Sequence, residues 1–172
     1  MYEYTPKKEN LKAAHLILLM LVGGFLILGL AAALPTLPFR WAVQLLGIVC
    51  IGIGIFLYTR YFTKTFTYSV VPRDDGSFDF CVTECQRKSR ITVCRLSLAS
   101  IERIEVLSAE DRARAKTLKK ELRAEGRKLY FYTVNLAPSS LCYLVATECG
   151  QPLVVVLEPD ETLLKMLEKG SL

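Results

Sequence analysis

Two long apolar runs decide most of what this chain can become. From Ala13 to Leu34 it reads AAHLILLMLVGGFLILGLAAAL, 22 residues in which His15 is the only polar side chain. A helix rising about 1.5 Å per residue would cross a hydrocarbon core of about 30 Å over that length. The second run, WAVQLLGIVCIGIGIFLY from Trp41 to Tyr58, contains one polar side chain, Gln44, and is again about one membrane thickness long. The expectation is a transmembrane hairpin with spans at 13–34 and 41–58. Residues 1–62 then form the N-terminal flank and hairpin, and residues 63–172 a separate domain.

A cleaved secretory signal explains the first run less well. Lys7, Lys8 and Lys12 precede it and Ala31, Ala32 and Ala33 offer small residues for cleavage. The apolar region, however, exceeds the roughly 7–15 residues of a signal, and a second run follows within a few residues. Lys7, Lys8 and Lys12 lie before the first span and Arg60, Lys64 and Arg73 after the second, with Arg40 alone between them. Short-loop Lys/Arg bias of this kind places both termini in the cytoplasm and makes the chain a multi-pass cell-membrane protein. Trp41 at one edge and Tyr58, Tyr61 and Phe62 at the other suit interfacial anchoring.

That placement bears on the six cysteines. Cys81, Cys85, Cys94, Cys142 and Cys149 would sit in reducing cytoplasm, where structural disulfides are rare, and Cys50 within the second span. Cys81 and Cys85 are too far apart along one strand to bridge, at roughly 13 Å. With no CxxC pair and one histidine near a membrane interface, no metal site is expected, and the cysteines read as small apolar core fillers.

Beyond the spans the pattern alternates. In KTFTYSVV, Phe66, Tyr68 and Val70 alternate with polar residues, PRDDGS supplies a turn, and Phe78, Phe80 and Val82 continue on one side of SFDFCVTEC. RITVCRLS offers Ile91 and Val93, and a short strand is expected around Arg103 to Leu107. KLYFYTVN, LCYLVAT and PLVVVLE follow, the last two joined by a turn at Glu148-Cys149-Gly150-Gln151, for seven short strands. In PDETLLKMLEKG, Pro159, Asp160 and Glu161 suit a helix start, Gly170 a stop, and Leu163, Met166 and Leu167 one apolar face, giving a helix over about 159–169.

Between the fourth and fifth of these strands lies SAEDRARAKTLKKELRAEGRK, residues 108–128, with eight Lys/Arg against four Asp/Glu in a chain whose net charge is +5. Ser108 and Asp111 resemble a capping signature and Gly126 a left-handed stop, so a charged helix is expected over about 109–125. At about 100° per residue, Arg112, Lys116, Lys119, Lys120 and Arg123 fall within an arc of roughly 100°. Ala115, Leu118 and Leu122 form a narrow apolar stripe beside them, too poor in aromatic and leucine residues for deep insertion into lipid. The five bases are the candidate face for anionic lipid or an acidic partner, opposed by the plainer reading of a solvated charged surface. Nucleic acid is disfavoured, since the helix lacks interleaved aromatics.

This order of elements resembles the pleckstrin-homology (PH) superfold, a bent antiparallel sheet or barrel capped by a C-terminal helix. With the hairpin in front, it is similar to bacterial membrane proteins carrying a PH-like domain. The resemblance implies an α+β class with the charged helix inserted, and a role in binding lipid, peptide or protein. The first hairpin carries Arg73-Asp74-Asp75-Gly76, where phosphoinositide-binding PH domains concentrate bases, so no phosphoinositide residues transfer.

No Walker loop, dinucleotide-binding glycine pattern, HExxH or GxSxG occurs in the chain, so neither an enzyme nor a cofactor is expected. The spans add one feature: Gly47, Cys50 and Gly54 share a face of the second, and Gly29 and Ala33 are four apart in the first, which permits close helix packing or a homo-oligomer. The expected function is a non-catalytic binding or scaffold module at the cytoplasmic membrane face. The alternative is a small transporter or channel subunit built around the hairpin.

Overall fold

The structure, a computed structural model, describes residues 2–9, 11–34, 36, 39–86, 88–108 and 110–170, with the side chain of Arg112 outside the described set. It divides into two units, Glu9–Lys64 and the pair of segments Met1–Lys8 and Thr65–Leu172.

The first unit is a helical hairpin of α1 (Leu11–Ala33) and α2 (Arg40–Tyr58), extended by a π-helical turn over Thr59–Thr63. Both helices are long and apolar enough to cross a membrane. They meet through glycines. A Cβ on Gly24 would stand 2.6 Å from Ile51 Cγ1 and 2.9 Å from the Gly47 carbonyl oxygen; one on Gly47 would stand 2.8 Å from Leu28 Cγ, and one on Gly54 2.9 Å from Leu21 Cδ2. Of the small residues expected at the interface, Gly47 and Gly54 are there. Gly29 is not, since a Cβ on it would meet nothing within 4 Å, and its place in α1 is taken by Gly24. Spacing puts residues on a common face but does not say which face turns inward.

The second unit is built on eight strands: β1 (Tyr2–Tyr4), β2 (Lys64–Pro72), β3 (Phe78–Gln86), β4 (Ser89–Ser97), β5 (Ile101–Ser108), β6 (Lys128–Phe131), β7 (Ser140–Glu148) and β8 (Gln151–Leu157). They form two four-stranded sheets, ordered β1-β2-β3-β4 and β5-β7-β8-β6. This differs from the seven antiparallel strands expected. The additional strand, β1, precedes the hairpin and pairs antiparallel with β2 in the register Tyr2↔Val70, Glu3↔Ser69 and Tyr4↔Tyr68. Tyr2-Glu3-Tyr4 alternates but is too short for alternation to mark a strand of its own, and the pairing is supplied by the edge of β2. Nor is the second sheet wholly antiparallel: β6 pairs parallel with β8, Lys128 opposite Leu153 through Phe131 opposite Val156. The helix before β6 reverses the chain and returns it to the edge of the sheet, the usual route to a parallel pair. The described strands close no barrel.

One core lies between the sheets. Phe66, Tyr68 and Val70 from β2, Phe80 and Val82 from β3 and Leu96 from β4 pack with Cys142, Leu144, Val155 and Leu157 of the second sheet. Helix α4 (Glu161–Gly170) adds Leu163 and Leu167. A second core lies on the other face of the second sheet, where Tyr143, Val145, Val154 and Val156 receive Leu118 and Leu122 of α3 (Arg112–Ala124). The central strands β7 and β8 are thus covered on both sides, which is why they read as nearly continuous apolar runs.

Turns and caps follow local chemistry. Arg73 N–H donates to the Ser77 carbonyl, Asp75 accepts from Ser77 N–H at 2.9 Å, and Gly76 takes φ 82°. Cys149 (φ 50°) and Gly150 (φ 74°) form the turn between β7 and β8, so Cys149 is an exposed turn residue and not a core filler. Cys81 and Cys142 are buried, and all six thiols are free. Helix α4 is capped by Asp160, whose Oδ1 accepts from Leu163 N–H at 2.9 Å, while its Oδ2 accepts from the Tyr2 hydroxyl at 2.5 Å. The segment after the N-terminal strand is also tied down, where Asn135 Nδ2 donates to the Lys7 carbonyl at 3.0 Å and to Glu158 Oε2 at 2.7 Å.

Candidate functional site

Helix α3 stands on the outer face of the second sheet because Leu118 and Leu122, one turn apart, are 4% and 1% exposed in the second core. Its ends are set by hydrogen bonds. Ser108 does not cap it as the sequence pattern suggests; Asp111 accepts from the backbone and hydroxyl of Ser108, and Ser108 Oγ accepts from Glu110 N–H. At the other end Gly126 is left-handed (φ 75°), with Gly126 N–H donating to Arg123 and Arg127 N–H to Leu122, a Schellman stop.

Docking by the leucine stripe fixes where the bases go. Lys116, Lys120 and Arg123 are exposed on one flank and Lys119 is half-buried beside them. Arg112 begins the helix, and its side chain lies outside the described residues. Two other bases of the segment are drawn elsewhere. Arg114 reaches Glu105 at 4.0 Å, and Arg127 joins Glu102 at 2.8 Å and Glu125 at 3.0 Å, tying the helix exit to β5. The Thr147 hydroxyl and Arg127 together hold the Glu102 carboxyl below its usual range.

The structure adds what the helix sequence lacks. Lys119 Nζ lies 5.1 Å from the centre of the Phe131 ring on β6, a cation–π contact of about 0.5–1 kcal/mol at an exposed site. Phe131 is 40% exposed, so the basic flank adjoins an aromatic surface contributed by the neighbouring edge strand. On the opposite side of β6, Tyr130 is stacked on Tyr132 at 6.4 Å and 5°. Three consecutive aromatics in KLYFY must divide between the two faces of a strand, but which of those faces α3 packs beside depends on tertiary contacts that strand periodicity does not carry.

Two further residues missed as surface are Ile91 and Val93 of β4, 61% and 37% exposed. Alternation groups them on one face, but it does not say whether a second layer reaches that far. Val93 is also the extra residue of a bulge, since Val82 pairs with Cys94 and Thr83 with Thr92.

The arrangement offers charge and aromatic contact, and among the described residues no group of three or more His, Cys, Asp or Glu could hold a metal ion. Comparison with protein-family models, curated proteins and solved structures finds no match to this chain.

Proposed function

We propose that this chain is a membrane-anchored, non-catalytic binding or scaffold module, with a PH-like domain held at the cytoplasmic face and oriented on anionic lipid by the basic flank of α3. The observation that carries this reading is the pairing of β1 with β2. These strands lie on either side of the two apolar helices in sequence, so both ends of the helix pair enter one folded unit. A hairpin that leaves and re-enters on one side of a membrane has that connectivity, whereas cleavage after Ala33 would cut the domain from its own edge strand. The exposed apolar side chains of both helices support the same conclusion, and the Lys/Arg flanks support a cytoplasmic side. Two packed sheets with the C-terminal helix set into their shared core support the PH-like reading.

The exposed Lys116, Lys120 and Arg123, with Lys119 between them, are each worth about 1 kcal/mol near an anionic leaflet. The test uses the full chain in nanodiscs of neutral or anionic lipid, with acylation rates followed at individual lysines. Lys116, Lys119 and Lys120 are expected to react several-fold more slowly on anionic discs at low salt and to recover at high salt, while Lys165 and Lys169 of α4 serve as references. Equal rates on both discs eliminate lipid orientation by this face.

A further inference from the structure

We infer that a second surface of the same domain, the exposed strip Ile91, Val93 and Tyr130, rests in the headgroup layer of the bilayer that α1 and α2 cross; this builds on the membrane reading above. Ile91, Val93 and Tyr130 are 61%, 37% and 42% exposed, and with Phe78, Val106, Phe131 and Met166 they are the large apolar or aromatic side chains that the described part of the domain leaves exposed outside its two cores. They belong to one neighbourhood. The Tyr132 hydroxyl donates to the Val93 carbonyl at 3.4 Å, and the Tyr132 ring stacks on Tyr130.

The chain's own path selects lipid as the occupant. Tyr132 packs edge-on against Phe66 at 5.5 Å, and Phe66 follows the end of the second apolar helix, Thr63, by three residues. The strip is therefore built around the residues with which the chain leaves that helix. Its charges match an anionic surface: Lys88 and Arg90 precede Ile91, and Lys128 begins β6, all three exposed, with Glu84 opposite Ile91 in the register as the acid among them. Aromatic and apolar side chains ringed by Lys and Arg are the composition that settles at a membrane interface. β6 joins this strip to the basic flank, since Tyr130 belongs to one and Phe131 to the other.

Tryptophan placement tests the assignment in the full chain. With the native Trp41 changed to Phe, single variants Leu26→Trp, Ile91→Trp and Phe131→Trp are reconstituted into phosphatidylcholine–phosphatidylglycerol vesicles with or without brominated acyl chains. Leu26→Trp is expected to lose most of its emission to bromine, and Ile91→Trp a smaller, clearly resolved share with a blue-shifted maximum. Quenching at Leu26→Trp with water-like, unquenched emission at Ile91→Trp overturns the strip and leaves the membrane reading standing, and quenching at Phe131→Trp in that case assigns lipid contact to the basic flank. Absence of quenching at Leu26→Trp overturns the membrane reading and this inference with it.

Discussion

The leucines of the apolar helices and those of the charged helices are in opposite situations. Leu18, Leu19 and Leu26 of α1 are 60%, 67% and 63% exposed, whereas Leu118 and Leu122 of α3 and Leu163 and Leu167 of α4 are 4% exposed or less. Helices rich in charge bury their leucines, and helices with almost no charge display theirs. On the membrane reading proposed above, the surroundings of α1 and α2 are themselves apolar; in water a surface of this kind would be a large aggregation-prone patch. The difference also separates two ways of holding helices together. The domain uses interdigitated large side chains, while the hairpin uses missing ones, glycines that let two backbones approach closely.

Truncating leucines in both regions has the largest expected effect. Leu122→Ala and Leu167→Ala each remove a fully packed side chain and are expected to cost about 2–5 kcal/mol. Leu19→Ala and Leu26→Ala are expected to stay within about 0.5 kcal/mol, because those side chains only exchange one apolar neighbour for another. Urea unfolding of the full chain in neutral micelles, followed by near-ultraviolet dichroism of the domain's tyrosines, measures the first pair, and SDS unfolding of the helices the second. Equal costs in the two regions would mean that α1 is packed like an ordinary core helix.

A smaller effect is expected within the hairpin. Gly47→Leu forces a side chain into the space held by Leu28 and the Gly24 carbonyl, and is expected to cost about 1–3 kcal/mol as overpacking. Gly29→Leu, where a Cβ meets nothing within 4 Å, is expected to be neutral. The SDS midpoints of helix unfolding for the two variants decide this, and a reversed order would place the interface on the Gly29 face.

What the sequence made legible follows the same division. Apolar run length located both helices, and alternation with turn chemistry located seven of the strands, because each of these signals is local. The leucine positions of α3 were likewise readable from helical periodicity. Tyr2–Tyr4 was not readable, since its strand exists only through β2 and a hydroxyl bond to the Asp160 cap. The parallel β6, the choice of Gly24 over Gly29, and the placing of Phe131 under Lys119 were hidden for a related reason. Each depends on which neighbour arrives from a distant part of the chain. A division of the chain at residue 62 therefore misses that residues 2–8 belong with the domain.

The mildest prediction concerns pH and applies to the domain alone. Burial is the main cause that pushes the Cys142 thiol up to about 12 and the Cys94 thiol up to about 11, from an ordinary value of 9.0. Burial likewise raises the Tyr132 hydroxyl from 10.0 to about 12. In each case the fold favours the neutral form, so between the ordinary and the raised value the folded chain keeps a proton that the unfolded chain has released. Stability is therefore fully present below about pH 9 and declines as pH rises toward 12, the thiols acting first and Tyr132 joining above pH 10. Cys142→Ala is expected to lower stability at neutral pH by leaving a small cavity, yet to make the alkaline decline shallower. The slope of the urea midpoint against pH, not its value at pH 7, is the quantity to compare. A slope parallel to that of the unaltered chain would mean that this thiol meets water in the folded state and that the inter-sheet core opens around β7.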